Sequence, residues 1–323
     1  MSGDGNSFVA GAIEEKSAAT GVSTGTGGVD TGDDFAGAAY VFNYSGGAWS
    51  QTAYVKPSNT QAGGRFGWSV ALSGDGSTLA VGSEGEASAA TGVSTNSTDT
   101  SEPFAGAAYL FNESGSTWSQ TAYVKASNTR ANAIFGKSVA LSGDGTTLVV
   151  GSTGESSGAT GVNNASPGQG DTTANNSGAA YLFAKTGVWT QTAYVKASNT
   201  RGNAYFGYAV ALSVDGKTLV VGSTSETSAA TGVNNTTPGQ GDTSIPTAGA
   251  AYVYTPVGGV WAQTGYLKSP FAHPDNFGYS VAATNGAATL AVGGSTDPSN
   301  ATGIGGDPSN ALAGGAGSVS TFE

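Results

Sequence analysis

Short runs in which large apolar residues alternate with small ones recur along the chain, separated by stretches of Gly, Ser, Thr and Asn. From Phe66, the run FGWSVALS places Phe66, Trp68, Val70 and Leu72 on one face and Gly67, Ser69 and Ala71 on the other. A two-residue period predicts a strand, and the absence of charge from both faces predicts that both are covered. Gly74-Asp75-Gly76 then closes a hairpin, because Asp-Gly tolerates the positive φ that such turns need. TLAVGS, from Thr78 to Ser83, is the return strand, and a polar segment, 84–104, leads to a third strand, GAAYLFN, at Gly106. In the fourth, WSQTAYVK, the alternation puts Trp118, Gln120, Ala122 and Val124 on one face and Ser119, Thr121, Tyr123 and Lys125 on the other. That polar face predicts a partly wet outer strand, with Lys125 guarding its edge.

The same order returns. FGKSVALSGDG begins at Phe135, FGYAVALSVDG at Phe206 and a divergent FGYSVAATNGA at Phe277, at intervals of 69, 71 and 71 residues. Such a period means one supersecondary unit built repeatedly. No segment has a helical period of useful length. Four antiparallel strands per unit, graded from apolar to half polar, predict an all-β fold: a β-propeller of four-stranded blades with the first strand nearest the axis. About five units are expected in a single domain, 1–323. They span 1–56, 66–125, 135–196, 206–268 and 277–323, with 18 strands in all. The first unit lacks its first strand, since SGDGNSFVAGA at Ser2 aligns with SGDGSTLAVGS at Ser73. The last lacks its fourth, since the chain stops at GAGSVSTFE.

Composition narrows the partners. The formal net charge is −11 and only 11 Lys and Arg are spread over 323 residues, so a nucleic-acid footprint is not expected. Nor is membrane insertion, because no run approaches the length of a spanning helix. There is no cysteine, hence no thiolate metal site or disulfide framework. Met1 is followed at once by polar SGDGNS, so no signal peptide is expected in this segment.

The linked segments FGxSVALSGDG, TLxVGS, ATGVN, GAAYVF and WxQTAYVK resemble the FG-GAP repeats of integrin-type propellers, in a bacterial subfamily. The resemblance covers essentially the whole chain. It implies a propeller in a secreted or surface protein, with cell adhesion or ligand binding as its role and an extracellular or cell-surface location. It also implies, in many members, a calcium loop of form DxNxDGxxD between strands one and two. Here that place holds only Ser-Gly-Asp-Gly or Val-Asp-Gly, and one carboxylate cannot supply the six to eight oxygens calcium takes. Asp4, Asp75, Asp144 and Asp215 are therefore expected to be hairpin-turn residues.

The long loop after strand two carries its own pattern. An acidic residue follows the strand in each unit (Glu15, Glu86, Glu155, Glu226 and Asp297), and ATGV or ATGI comes four or five residues later. A second acid then precedes the third strand: Asp30, Asp99, Asp171, Asp242 and, in the last unit, Asp307. Two carboxylates with Thr, Asn and carbonyl oxygens could hold a hard cation, so calcium is one expectation for these loops. The other is a polar loop folded on itself through Asx turns and side-chain caps. No other cofactor is implied. Arg130 and Arg201, in the SNTR connectors, are expected to be solvated turn residues. Trp49, Trp118, Trp189 and Trp261 recur once per unit and read as packing anchors. Tyr54, Tyr123, Tyr194 and Tyr266, five residues on, are expected to be more open and able to stack on sugars. His273 has no repeated counterpart and reads as a surface residue. No residue set points to a reaction, so the expected protein is not an enzyme but a binding or adhesion module, its loops contacting a protein or glycan. The alternative is a structural subunit that self-associates through its incomplete end units.

Overall fold

The computed structural model describes residues 1–25, 31–94, 98–163, 169–233, 239–284, 286, 288–306, 309 and 312–323. Strands arrange in five sheets, and no α-helix occurs among the described residues. In the first sheet β1 (Ser7–Ala12) pairs with β3 (Ala38–Ser45), which pairs with β4 (Ala48–Val55), which pairs with the short β2 (Val22–Ser23). The second comprises β5 (Phe66–Leu72), β6 (Thr78–Ser83), β8 (Ala107–Ser114), β9 (Thr117–Val124) and β7 (Val93–Ser94), in that spatial order. The third repeats it with β10 (Phe135–Leu141), β11 (Thr147–Ser152), β13 (Ala179–Thr186), β14 (Val188–Val195) and β12 (Val162–Asn163). The fourth has β15 (Phe206–Leu212), β16 (Leu219–Ser223), β17 (Ala250–Val257) and β18 (Val260–Leu267). The fifth has β19 (Ser280–Ala283), β20 (Leu290–Gly294) and β21 (Ser318–Phe322).

The expected strand order within each unit therefore holds, with one addition. Part of the long loop, the Val of ATGV, returns to the sheet as β2, β7 or β12, so the fourth strand is not the outermost in the first three sheets. In the fourth sheet a single bridge, Val233 to Leu267, marks the same place. This short strand was hidden because two residues carry no readable period.

The chain forms two compact units, Met1–Glu155 with Tyr181–Thr192, and Ser156–Ala180 with Ala193–Glu323. Within the first, Ala39, Val41, Val55, Phe66, Leu79, Val81, Tyr109, Phe111, Trp118 and Tyr123 make one buried cluster. Within the second, Val220, Ala251, Val253, Leu267, Phe277, Leu290 and Val292 make another.

The Phe-Gly that opens a unit docks on the sheet before it. Phe66 N donates to Ala36 O at 3.0 Å and Gly37 bridges Phe66 in parallel; Phe277 and Gly249 repeat this in the second unit. Gly67 has φ +90°, and a Cβ there would lie 2.3 Å from Ala38 O, so the backbones touch directly. The residue before each Phe is left-handed (Arg65 φ 54°, Ile134 56°, Tyr205 55°, Asn276 52°), as is the residue two before each Gly-Ala (Phe35, Phe104, Asn176, Thr247). Backbone bonds join the two turns: Arg65 N donates to Phe35 O at 2.8 Å and Ile134 N to Phe104 O at 2.9 Å. Steric strain in non-glycine residues is tolerated where surrounding bonds over-determine the backbone.

Two bulges correct the simple alternation. In the first strand Phe66 faces Ser83 but Ser69 faces Gly82, so Gly67 and Trp68 stand outside the ladder. In the fourth strand Leu110 faces Ala122 while Phe111 faces Gln120, leaving Thr121 unopposed. One extra residue exchanges the faces beyond it. Trp118, Gln120 and Tyr123 thus share a face that alternation alone divides. Tyr54, Tyr123, Tyr194 and Tyr266 are at most 2% exposed, against the expectation of open rings. Trp118 and Trp189 are buried, as expected of anchors, whereas Trp49 is 43% exposed.

Candidate functional site

The glutamates after strand two meet the lysines that follow strand four. Lys125 Nζ is 2.6 Å from Glu86 Oε2, with both side chains 1% exposed, and Lys268 Nζ is 2.8 Å from Glu226 Oε2. Lys56 bonds Glu15 at 2.8 Å and Gly37 O at 2.7 Å. Lys268 also donates to Gly249 O, and Lys196 to Gly178 O at 2.6 Å and to Ser177 Oγ at 2.7 Å. Burial holds the Lys125 and Lys268 ammonium groups below the ordinary lysine value despite the carboxylate beside each. Lys125 is therefore no edge guard. It is a core residue, because a buried ammonium survives only with its hydrogen bonds made.

The connectors feed the same stations. Asn128 Nδ2 donates to Glu155 and Asn199 Nδ2 to Glu226, while Tyr181 and Tyr252 hydroxyls donate to the Asn carbonyl oxygens at 2.6 Å. Arg201 lies 4.0 Å from Glu226 and donates to Asp242 O and Thr227 Oγ1; Arg130 lies 3.9 Å from Glu155. With side chains about one-fifth exposed, these arginines are latches rather than solvated turn residues.

The second acids close the loops. Asp99 accepts from Ala89 N and Ser101 N, Asp171 from Gly158 N and Thr173 N, and Asp242 from Ala229 N and Ser244 N. These backbone donors hold the three carboxyls below the usual range. Asp30 and Asp307 lie outside the described residues. Asp297 is buried and accepts from Ser299 N at 2.8 Å. Among the described residues, no group of three or more His, Cys, Asp or Glu comes together in a way that could hold a metal ion. Asp4, Asp75, Asp144 and Asp215 do form the hairpin turns: each accepts from the Ser two residues before it, as Ser73 Oγ does to Asp75 at 2.6 Å. His273 is half-buried and stacks on Phe271.

Two features escaped the sequence reading. Lys137 Nζ sits 4.1 Å above the Trp68 ring, Arg65 lies over both Trp68 and Phe104, and Glu84 pairs with both cations. The signal was the third residue of each FG unit (Trp68, Lys137, Tyr208, Tyr279), which the bulge turns out of the ladder. The second feature is a groove built twice within the first compact unit. One copy, about 300 Å³, runs between Val22, Ser23 and Thr52 on one side and Ser116, Thr117 and Trp118 on the other. Its equivalent, about 490 Å³, lies between Val93, Ser94 and Thr121 and the segment Lys185, Val188 and Trp189. The bulged threonines, the short outer strands and the once-per-unit Trp recur at matching positions. Trp118 is 4% and Trp189 6% exposed, and neither indole N–H has an acceptor among the described residues. Buried donors ordinarily find one.

Comparison with known proteins gives a family and two distant solved structures. One is a protein of Bacteroides uniformis provisionally named a 6-phosphogluconolactonase, at 14% identity and TM-score 0.38, covering 79% of this chain. This chain spans 60% of that protein's length. The other is the periplasmic gluconolactonase PpgL of Pseudomonas aeruginosa, at 14% identity and TM-score 0.33, covering 99% of this chain and 86% of its own. Both names are those of enzymes, so the expectation of a chain that is not an enzyme is withdrawn. At these TM-scores the likeness assigns no reaction. A search of curated protein sequences finds no match. The FG-GAP repeat model matches residues 49–111, 118–183 and 189–254, more than half of the chain, and the chain belongs to the FG-GAP repeat family.

Proposed function

We propose that the five sheets are the blades of a propeller and that the chain is a surface or secreted binding module. Its repeated outer grooves take a protein or glycan ligand. The observation that carries this reading is the groove built twice from equivalent residues, each with a threonine at a bulge, a serine on the edge strand and an indole N–H without an acceptor. A sheet framework holding repeated recesses, apolar in larger part with hydroxyls at the rim, suits multivalent recognition of a repeating ligand, where two weak contacts combine. Hydroxyls and an indole donor match the acceptor-rich surface of a glycan or an extended backbone. The test is a glycan and peptide array read with the intact chain and with Trp118→Phe and Trp189→Phe, which keep the ring and remove the donor. Binding that weakens with each variant supports the reading. No binding at high micromolar concentration, or binding indifferent to both variants, overturns it.

A further inference from the structure

Beside the Phe-Gly that opens the second sheet, the chain carries a cluster that the repeat itself does not require. Arg65 Nη1 donates to Glu84 Oε1 at 2.9 Å, and Lys137 Nζ lies 3.5 Å from Glu84 Oε2, so one buried carboxylate serves two cations. The Arg65 guanidinium stands 5.9 Å from the centre of the Trp68 ring and 5.7 Å from that of Phe104. The later units build the same turn from other residues. Ile134, Tyr205 and Asn276 take the place of Arg65 with the same left-handed backbone, and Thr153, Thr224 and Ser295 take that of Glu84. There Phe135 N, Phe206 N and Phe277 N still donate to Ala105 O, Ser177 O and Ala248 O at 3.0, 3.0 and 3.1 Å. Docking of the Phe-Gly does not need the cluster.

Three features point to a ligand. Phe104, at φ 55°, is 42% exposed, and Phe35, whose carbonyl accepts from Arg65 N, is 44% exposed at φ 58°. Asn176 and Thr247 stand in their place in later units. A bulky side chain on left-handed backbone is costly, and one this exposed returns little through burial. Strain kept without such a return gathers at functional positions. Second, the Arg65 side chain is 37% exposed, and its Nε and Nη2 have no acceptor among the described residues. Third, the neighbouring acids are engaged elsewhere: Asp34 pairs with Lys16, and Glu102 accepts from Ala131 N. The cluster therefore keeps an excess of positive charge in a chain of net charge −11.

We infer that this cluster recognises an acidic segment of a partner polypeptide. A carboxylate side chain of the partner bonds the open edge of Arg65, and an apolar neighbour in the partner lies against Phe104 and Phe35. A guanidinium held by Glu84 and laid on aromatic rings is already set for a carboxylate, so little freedom is lost when one arrives. Phenylalanine rings offer nothing to the hydroxyls of a sugar, so the chemistry favours a peptide over an acidic glycan. The cluster shares no residue with the Trp118 and Trp189 grooves, and its test stands or falls apart from theirs.

The experiment titrates the intact chain with a labelled pool of blocked tripeptides, an Asp between two apolar residues, and with a matched pool carrying Asn, read by fluorescence anisotropy. Saturable binding of the Asp pool is expected, with the Asn pool about tenfold weaker, the loss of one charge-assisted contact. Arg65→Asn and Phe104→Asn install the residues that Asn276 and Asn176 supply at the same places in later units. Each should weaken the Asp pool about tenfold, and Arg65→Asn should also erase the preference for Asp over Asn. The denaturation midpoint of Phe104→Asn should hold or rise. No saturable binding at millimolar concentration overturns the proposal, as does equal binding of the two pools. So does a Phe104→Asn midpoint that falls while binding is kept, which would mark the ring as packing. Tighter binding of a glucuronate oligosaccharide, lost in Arg65→Asn, overturns the assignment to a polypeptide. The comparison of pools leaves the protein unaltered and holds even if a variant does not fold.

Discussion

Lys125 is a charged residue placed where an apolar one would be expected, and its pairing with Glu86 carries the cost of that placement. Removing one partner of a buried pair strands the other charge, so Lys125→Met should destabilise the chain by about 3–5 kcal/mol in denaturant titration. Adding Glu86→Leu to that variant should recover much of the loss; a single variant as stable as the parent would refute the buried pair. Asp275 tests a second buried group. Burial, with the Asp297 charge beside it and Lys268 opposing, raises its carboxyl from the usual range to about 6. A raised value means that the folded state binds the proton more tightly than the unfolded one. Stability should therefore fall as pH rises from about 4 to about 6 and then level off, an effect of up to about 3 kcal/mol. Asp275→Asn should flatten that slope in thermal melts across the window; an unchanged slope would place the titration elsewhere. None of this was legible beforehand. A lysine written in a strand's polar alternation reads as an edge residue, and its acid lies 39 positions away, Glu86 against Lys125.

At the element scale, the sequence displayed the strands, the Asp-Gly turns and the repeat, because period two and glycine placement are local. It did not display the bulges, since an extra residue such as Thr121 looks like any other step in an alternating run. That one residue carried Tyr123 to the core face and reversed the expectation for four tyrosines. The short outer strand was invisible for a related reason: Val93 and Ser94 join the sheet through the backbone, without a side-chain period of their own. Close backbone contact between sheets predicts sharp sensitivity at glycine. A Cβ on Gly82 would lie 2.2 Å from Gly136 O, so Gly82→Ala should cost about 2–4 kcal/mol, read as a lowered denaturation midpoint. The left-handed turns predict the opposite sign. Ile134, β-branched at φ 56°, should become more stable by about 1 kcal/mol as Ile134→Asn or Ile134→Gly. A midpoint that falls in both variants would show that the isoleucine side chain matters more than its backbone strain.

At the scale of the whole molecule, the repeat makes the chain a series of equivalent stations. Each has an acid, buried in all but the first, where Glu15 is half-buried, and in sheets one, two and four that acid is matched by a lysine after strand four. The loops that sequence reasoning offered to calcium hold their carboxylates on backbone N–H groups of Ala89, Gly158 and Ala229. Melting curves in calcium and in excess chelator should therefore coincide, and a midpoint raised by calcium would reassign Asp99, Asp171 and Asp242 to an ion. The central proposal is that the repeated sheets turn about one axis as propeller blades. Small-angle scattering from the intact chain tests it most directly. A radius of gyration of about 20 Å with a single symmetric distance distribution is the result the account predicts. A value above about 30 Å with a long tail, as sheets strung along a line would give, would contradict it.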